Sequence, residues 1–240
     1  MTQSGYIDFH THILPRIDDG SKSSDESLSM IRAEASQGVN RIVLTPHFYA
    51  EREGRSFFDK RIGSYDRLME VVGDSDISDM SFLLGAEVCY FPGMGESSVM
   101  RKLCIGDYML LEMPFFQWDQ AVVTDVTKLI ERQGIKPVIA HIERYRPFQR
   151  DMSYWDAVFE LPVIPQMNTE AFLGGFFDRR KNLKLFRDMN VIIGTDCHHS
   201  DRRVPNMSEG RQALRKHFGQ DRLEDLDAFS DRIFESMIRL

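Results

Sequence analysis

Nine side chains in this chain could hold metal ions: His10, His12, Asp19, His47, Glu87, Glu112, His141, Asp196 and His198. Five of the seven histidines belong to the set; the other two are His199 and His217. Imidazole nitrogen and carboxylate oxygen suit manganese, iron, cobalt or zinc. Several such donors on a rigid scaffold describe a multinuclear metal site that needs no sulfur. His10-Thr11-His12 places two imidazoles on one face of a strand, where both can reach one ion. Taken alone, that pair reads equally well as a polar strand end. Asp18 and Asp19 precede Gly20 and read locally as turn residues. Glu87 and Glu112 are different, because both interrupt apolar runs. A buried, unpaired carboxylate is costly, and a cation removes the penalty. His141 ends the apolar run from Val138, and Asp196 ends the one from Val191.

The elements that must position these groups alternate along the chain. Strands are expected at 6–10, 41–46, 82–90, 108–113, 136–142, 163–168 and 191–196, as short β-branched and aromatic runs. Helices are expected at 24–37, 57–72, 120–133, 153–159, 183–189, 208–218 and 223–237. Gly38 and Gly134 supply helix stops, and Ser24 with Glu26 and Ser27 supplies a helix start. Repeated strand–helix units imply a parallel α/β sheet with right-handed crossovers. Seven strands in this order predict a closed or nearly closed TIM-like barrel; an open doubly wound sheet is the competing architecture. His10, His47, Glu87, Glu112, His141 and Asp196 fall at or near the C-terminal ends of strands. That is the rim where α/β barrels assemble their sites. With no long linker or repeat, residues 1–240 are expected to form one domain, with C-terminal helices from about 207.

Composition narrows the function classes. Hydrophobic residues make up 42% and charged residues 28%, which is ordinary for a globular domain. The formal charge of −7 argues against a broad nucleic-acid-binding surface. It leaves room for local basic pockets around Arg144, Arg146 and Arg150 or around Arg202 and Arg203. Cys89, Cys104 and Cys197 fit no disulfide framework or zinc ribbon, which suits a reducing compartment. No signal peptide or apolar membrane span is visible, so a cytoplasmic location is expected.

The ordered motifs carry a resemblance. Asp8-Phe9-His10-Thr11-His12-Ile13-Leu14-Pro15, Asp18-Asp19-Gly20 and Thr45-Pro46-His47-Phe48 resemble the opening of a PHP-superfamily (polymerase and histidinol phosphatase) protein. Gly85-Ala86-Glu87, Leu111-Glu112-Met113-Pro114, Ala140-His141-Ile142-Glu143-Arg144-Tyr145 and Thr195-Asp196-Cys197-His198 narrow it. They are similar to the manganese-dependent bacterial protein-tyrosine phosphatases of capsule and exopolysaccharide loci. The resemblance spans roughly residues 6–205. It implies a distorted (β/α)7 barrel, the PHP fold, holding three divalent ions, with manganese favoured. It assigns His10, His12, Glu87 and Asp196 to the first ion. Glu87, Glu112 and His141 would hold the second, and Asp19, His47 and His198 the third. It implies a metal-bridging hydroxide as nucleophile and Arg144 and Arg203 as phosphate-binding arginines. The substrate would be a phosphotyrosyl protein, such as a membrane-associated tyrosine kinase that controls polysaccharide synthesis. Ile142 stands where the family usually has proline. Cys197 stands where it usually has alanine, close enough to the metals to make the site oxidation-sensitive.

Other readings compete. Cys197 and Arg203 have the Cys-x5-Arg spacing of cysteine-dependent phosphatases, in which a thiolate attacks phosphorus. The intervening residues contain no glycine and include Asp201, which would repel phosphate. A PHP phosphoesterase acting on a small metabolite such as histidinol phosphate, a nuclease-like proofreader and a metal-stabilised interaction module are the alternatives in function. Phe115-Phe116-Gln117-Trp118, with Phe48 and Tyr49, could form an aromatic wall for a phenyl ring. Residues 51–55 could contribute to a lid. Met30, Ile31 and Ala35 read as core or oligomer contact.

Overall fold

The computed structural model describes residues 5–53, 56–77 and 79–239. Among the described residues there are nine strands: β1 Tyr6–Thr11, β2 Val39–Leu44, β3 His47–Phe48, β4 Ser81–Leu84, β5 Glu87–Cys89, β6 Tyr108–Glu112, β7 Lys136–Ile139, β8 Ile164–Asn168 and β9 Ile192–Gly194. The helices are α1 Ser24–Ser36, α2 Ala50–Glu53, α3 Ser56–Gly73, α4 Gln120–Gln133, α5 Ser153–Glu160, α6 Phe176–Asp188, α7 Met207–Phe218 and α8 Gln220–Ile238. No described helix is long and apolar enough to cross a membrane.

Every strand pairing is parallel, in the orders β1-β2-β4 and β3-β5-β6-β7-β8-β9. The two sheets arise because two expected strands are broken. The run at 41–46 starts at Val39 and breaks at Thr45-Pro46, where proline has no N–H for a ladder. The run at 82–90 breaks at Gly85-Ala86, opposite that point. Gly85 N–H donates to the Leu44 carbonyl at 2.8 Å and Glu87 N–H to that of Pro46 at 3.0 Å, so the breaks run side by side. The far edges also meet. Asp196 N–H donates to the His10 carbonyl at 2.8 Å, and His12 N–H to that of Cys197 at 2.9 Å. The result is a curled parallel sheet whose last strand returns to its first.

Local sequence explains most helix ends. Asp119 caps α4 by accepting from the N–H groups of Ala121 and Val122, and Gly134 ends it at φ 63°. The cap of α1 is Ser23, one residue before the expected Ser24, and it accepts from Glu26 N–H. α6 begins seven residues earlier than expected.

The core has two parts. Ile7, Phe9, Val43, Tyr108, Leu110, Val138 and Ile192 cluster with Phe234 and Met237 of α8. A larger cluster includes Met30, Ile31, Leu44, Leu111, Trp118 and Ile139. α8 covers the end where strands begin: Arg41 reaches Asp231 at 2.7 Å, and the Tyr108 and Ser236 hydroxyls lie 2.6 Å apart. The strand C-terminal ends are left for the site.

Candidate metal centre

Each expected donor comes from a strand end or the loop just beyond it. His10 lies within β1 and His12 just after it; His47 opens β3, Glu87 opens β5 and Glu112 ends β6. His47 and Glu87 are partners in the parallel register. His141 and Asp196 lie two residues past β7 and β9. Both have a positive φ, 29° and 54°, as does Arg203 at 47°. Non-glycine residues adopt that region at a cost, and such strain collects at functional sites. Close packing sets the frame. A Cβ at Gly194 would fall 2.7 Å from the His10 Cβ, and one at Gly20 would fall 2.2 Å from the His12 carbonyl.

Glu87 lies at the centre. Its Oε2 is 2.9 Å from His47 Nδ1 and 3.3 Å from the Nε2 atoms of both His10 and His12; its Oε1 is 2.9 Å from His141 Nε2. The Nε2 atoms of His10 and His12 face each other at 3.2 Å. Two nitrogens each about 2.1 Å from one ion stand about 3 Å apart. Asp196 Oδ1 is 3.4 Å from His12 Nε2, 3.6 Å from His10 Nε2 and 3.5 Å from His198 Nδ1. Asp19 Oδ1 is 3.4 Å from His47 Nε2 and 3.6 Å from His198 Nε2. Glu112 Oε1 is 3.7 Å from His141 Nε2.

All nine expected donors therefore lie in one connected constellation. They form overlapping groups whose donor atoms are within 4.8 Å of one another: His12, Asp19, His47 and His198; His10, His12 and Asp196; His10, Glu87 and His141; His47, Glu87 and Glu112. Glu87 Oε2, His47 Nδ1 and His198 Nε2 are buried and make no well-aligned hydrogen bond, although Glu87 Oε2 and His47 Nδ1 stand 2.9 Å apart. Donors that converge this closely and stay unsatisfied fit divalent cations.

The electrostatics agree. Burial pushes His141 down, and burial with neighbouring His12 pushes His198 down to about 3. Neutral imidazole is the form that ligates a metal. Burial works against ionised Glu87 and Asp196, yet the surrounding imidazoles, His10 foremost, together with Arg144 for Asp196, outweigh it and hold both well below the carboxylate range. Burial and the Glu87 charge push Glu112 up to about 7. A cation would replace the protons that these groups otherwise share.

The adjacent aspartates divide their roles. Asp19 is 68% exposed on its side chain and turned to His47 and His198. Asp18 is turned inward, 2.8 Å from His12 Nδ1, and accepts the N–H groups of His47 and Gly20. It is held at about 2, because the His12 imidazole and those N–H groups outweigh burial. A carboxylate on the far nitrogen of an imidazole fixes the ring's tautomer and orientation.

β8 supplies residues that the sequence analysis did not single out. Gln166 Oε1 accepts from His141 N–H at 2.8 Å and faces His10 Nδ1 at 3.2 Å. Asn168 Nδ2 donates to Asp196 Oδ2 at 2.9 Å. The signal was present, as two amides at period 2 in a buried strand, but amides are neutral and carry no obvious ligand chemistry. Glu143 was also passed over. Its Oε1 accepts from Asn168 N–H, its Oε2 has no partner, and burial pushes it up to about 7.

Arg144 and Arg203 meet on one atom. Their Nη2 groups lie 2.7 and 2.8 Å from Asp196 Oδ2, and their side chains are 35% and 41% exposed. Two half-exposed guanidinium groups thus flank the mouth. Cys197 has no part in that arrangement. It is fully buried, with Sγ 3.7 Å from Glu34 Oε1, and burial with the Glu34 and Asp8 carboxyls pushes its thiol well up. A reactive thiolate needs the opposite environment.

The aromatic residues separate. Phe115 and Phe116 are exposed, and the Phe115 ring lies 6.1 Å from that of His141 at 25°. Trp118 is fully buried, and its indole N–H donates to the Pro114 carbonyl. Phe48 is also buried, against Phe57 and Phe58, so both belong to the core rather than to a wall. The Tyr49 ring lies 5.4 Å from that of His47. Met30 and Ile31 are core, while Ala35 is exposed. Of the expected lid, Gly54 and Arg55 lie outside the described residues.

Known proteins share this arrangement of chain and fold. "Tyrosine-protein phosphatase CpsB" of Streptococcus pneumoniae is 27% identical over 232 residues, covering 92% of this chain and 94% of its own length. "Tyrosine-protein phosphatase YwqE" of Bacillus subtilis is 30% identical over 236 residues, covering 90% and 86%. A solved chain from the work on YwqE from Bacillus subtilis and CpsB from Streptococcus pneumoniae, described there as "unique metal-dependent tyrosine phosphatases", superposes with a TM-score of 0.82. It is 26% identical, and the match covers 98% of this chain and 94% of that one. The family described as "Capsular polysaccharide synthesis, CpsB/CapC" matches residues 6–231, and this chain belongs to it.

Proposed function

We propose that this chain is a metal-dependent protein-tyrosine phosphatase. The observation that carries the proposal is the convergence of four imidazoles on Glu87, beside an Asp196 that also holds Arg144 and Arg203. His10, His12, Glu87 and Asp196 would hold one ion. Glu87, Glu112 and His141 would hold a second, and Asp19, His47 and His198 a third. Manganese is the favoured metal, and the same donors accept iron, cobalt or zinc. When bound, such ions neutralise phosphoryl oxygens and make water a nucleophile at neutral pH.

The chain's own residues do the rest. Arg144 and Arg203 present planar guanidinium groups that can bind phosphate oxygens in pairs. Their placement on Asp196 keeps both aimed across the mouth. Phe115 offers a ring face beside His141 for a phenyl group. Gln166 and Asp18 orient His10 and His12, and Asn168 fixes Asp196. A phenolate leaving group has a conjugate acid of pKa about 10, so departure needs no strong general acid.

The barrel follows the same logic. Joining β2 with β3 and β4 with β5 leaves seven strand positions, a distorted (β/α)7 barrel within one domain spanning residues 1–240. The substrate that best fits the family is a phosphotyrosyl protein, a membrane-associated tyrosine kinase of capsule or exopolysaccharide synthesis met on the cytoplasmic side.

The test is phosphate release from a phosphotyrosyl peptide by chelator-stripped protein, before and after manganese is restored. Release only with metal supports the proposal. Release without metal overturns the metal centre. If histidinol phosphate is hydrolysed and the peptide is not, the enzyme is a small-metabolite phosphatase.

A further inference from the structure

α6 carries a surface that the phosphatase chemistry does not use. Leu183, Leu185 and Phe186 bury one side of this helix. Its opposite side presents Phe176, Phe177, Arg180, Lys181, Lys184 and Arg187, all exposed. Phe176 and Phe177 are the most exposed large apolar residues described, at 63% and 77%. Their rings touch only edge to face, with centroids 5.6 Å apart. Lys181 approaches Asp178 at 3.5 Å and Arg187 approaches Asp188 at 2.8 Å; Arg179, Arg180 and Lys184 make no ion pair among the described residues. Beside the helix, an open groove of about 990 Å³ adds Lys216, His217 and Phe218 of α7.

The position of this face matters. Asn168 at the end of β8 holds Asp196. One 3-10 turn, Thr169–Phe172, and the pair Gly174-Gly175 then lead directly to Phe176. The two phenylalanines therefore stand on the same end of the sheet as the metal centre. Leu173 at 40%, Phe148 at 42% and Phe116 at 54% exposure belong to loops of that same end.

We propose that this face of α6 docks the protein on an anionic lipid surface, with Phe176 and Phe177 entering the headgroup boundary and the cations behind them meeting lipid phosphates. Exposed phenylalanines beside a lysine- and arginine-rich face are the mark of a helix that lies in a membrane interface. The net charge of −7 sharpens the argument. An acidic leaflet repels the acidic remainder of the molecule, so approach through this basic, aromatic face is favoured. Self-association through the same face is disfavoured, because a two-fold contact would set its cations against each other.

The test is co-sedimentation of the full chain with vesicles of phosphatidylcholine, with and without phosphatidylglycerol. Binding is expected only with phosphatidylglycerol and falls as salt rises. Each cation near an acidic leaflet is worth roughly fivefold in partitioning, so Arg180→Glu with Lys184→Glu lowers binding by at least about 25-fold. Phe176→Ser with Phe177→Ser lowers it by about tenfold or more through lost apolar burial. Hydrolysis of a soluble phosphotyrosyl peptide stays unchanged in both variants. Absence of binding to either vesicle, or binding that both variants retain, overturns the proposal. So does a self-associated protein that the phenylalanine variant dissociates. Capture of a glutamate–tyrosine copolymer without vesicle binding also overturns it and assigns the face to an acidic protein. Sedimentation needs no turnover, so this outcome is separate from that of the phosphatase assay.

Discussion

Asp19→Asn is the cleanest probe of how many ions the centre holds. Asp19 is largely exposed, and its nearest partners in the site are His47 and His198, at 3.4 and 3.6 Å, with His12 in the same group. It touches neither the Glu87 carboxylate nor the arginine pair. Asparagine keeps its shape and removes its charge, so the change weakens one group of donors and spares the rest. A ligand that binds only the folded state contributes about 2.7 kcal/mol at one hundred times its dissociation constant. In a chain of this length each kcal/mol moves the melting midpoint by about 2–4 °C. Losing one ion therefore lowers the midpoint by about 5–11 °C in excess manganese. In chelator the substitution is an ordinary surface change worth at most about 0.5 kcal/mol, or about 2 °C. Thermal unfolding with and without manganese reads the first quantity, and elemental analysis after equilibrium dialysis reads the stoichiometry. Wild type is expected to hold three ions and the variant two. A variant that keeps the full complement, or that loses as much stability in chelator as in manganese, refutes the division into three sites.

Arg203→Lys and Arg144→Lys keep a cation but lose the planar fork. Each is expected to lower kcat/KM on a phosphotyrosyl peptide by about 10- to 100-fold, the worth of one charge-assisted bond, with metal content unchanged. Cys197→Ala leaves peptide hydrolysis little changed, while loss of the buried Sγ costs about 1 kcal/mol of stability; abolished turnover with bound metal intact would revive the thiolate mechanism. Glu143 titrates at about 7 when folded, against 4.5 for a free side chain. A raised carboxyl favours the folded state fully below pH 4.5 and loses that contribution as pH rises to about 7. The loss amounts to at most about 3 kcal/mol, from about 1.4 kcal/mol per unit. In chelator, Glu143→Gln should abolish this decline, so wild type loses stability relative to the variant between pH 4.5 and 8; parallel pH profiles would contradict it.

The positions of the donors were legible because ionisable groups inside apolar runs stand out, and because a parallel α/β chain brings its strand ends to one rim. What escaped was of a different kind. Gln166 and Asn168 hold His10, His141 and Asp196 through neutral amides, which no charge pattern reveals. The contact of Asp18 with the far nitrogen of His12 depends on how the turn at Gly20 faces that carboxylate inward, a matter of backbone geometry. The breaks at Thr45-Pro46 and Gly85-Ala86 lie inside continuous hydrophobic runs, where only opposing strands expose them. The first turns of α6 were missed because Phe176-Phe177-Asp178-Arg179-Arg180-Lys181 puts its apolar residues outward. Helical periodicity is recognised through a buried stripe, and this segment has its stripe only from Leu183 onward.

Asp196 stands between the histidine group and the arginine pair. Its Oδ1 faces His10, His12 and His198, while its Oδ2 takes both arginines and Asn168. One carboxylate thus faces two guanidinium groups, so the trio keeps a net positive charge at the mouth that suits an anion. Cation charge held among the histidines would draw on the same carboxylate through its other oxygen and would add to that positive charge. Asn168 keeps Asp196 in place, and the left-handed backbone at Asp196 and Arg203 allows both side chains to converge. If the centre takes cations and the arginines take phosphate, metal affinity and phosphate affinity are expected to rise together by linkage.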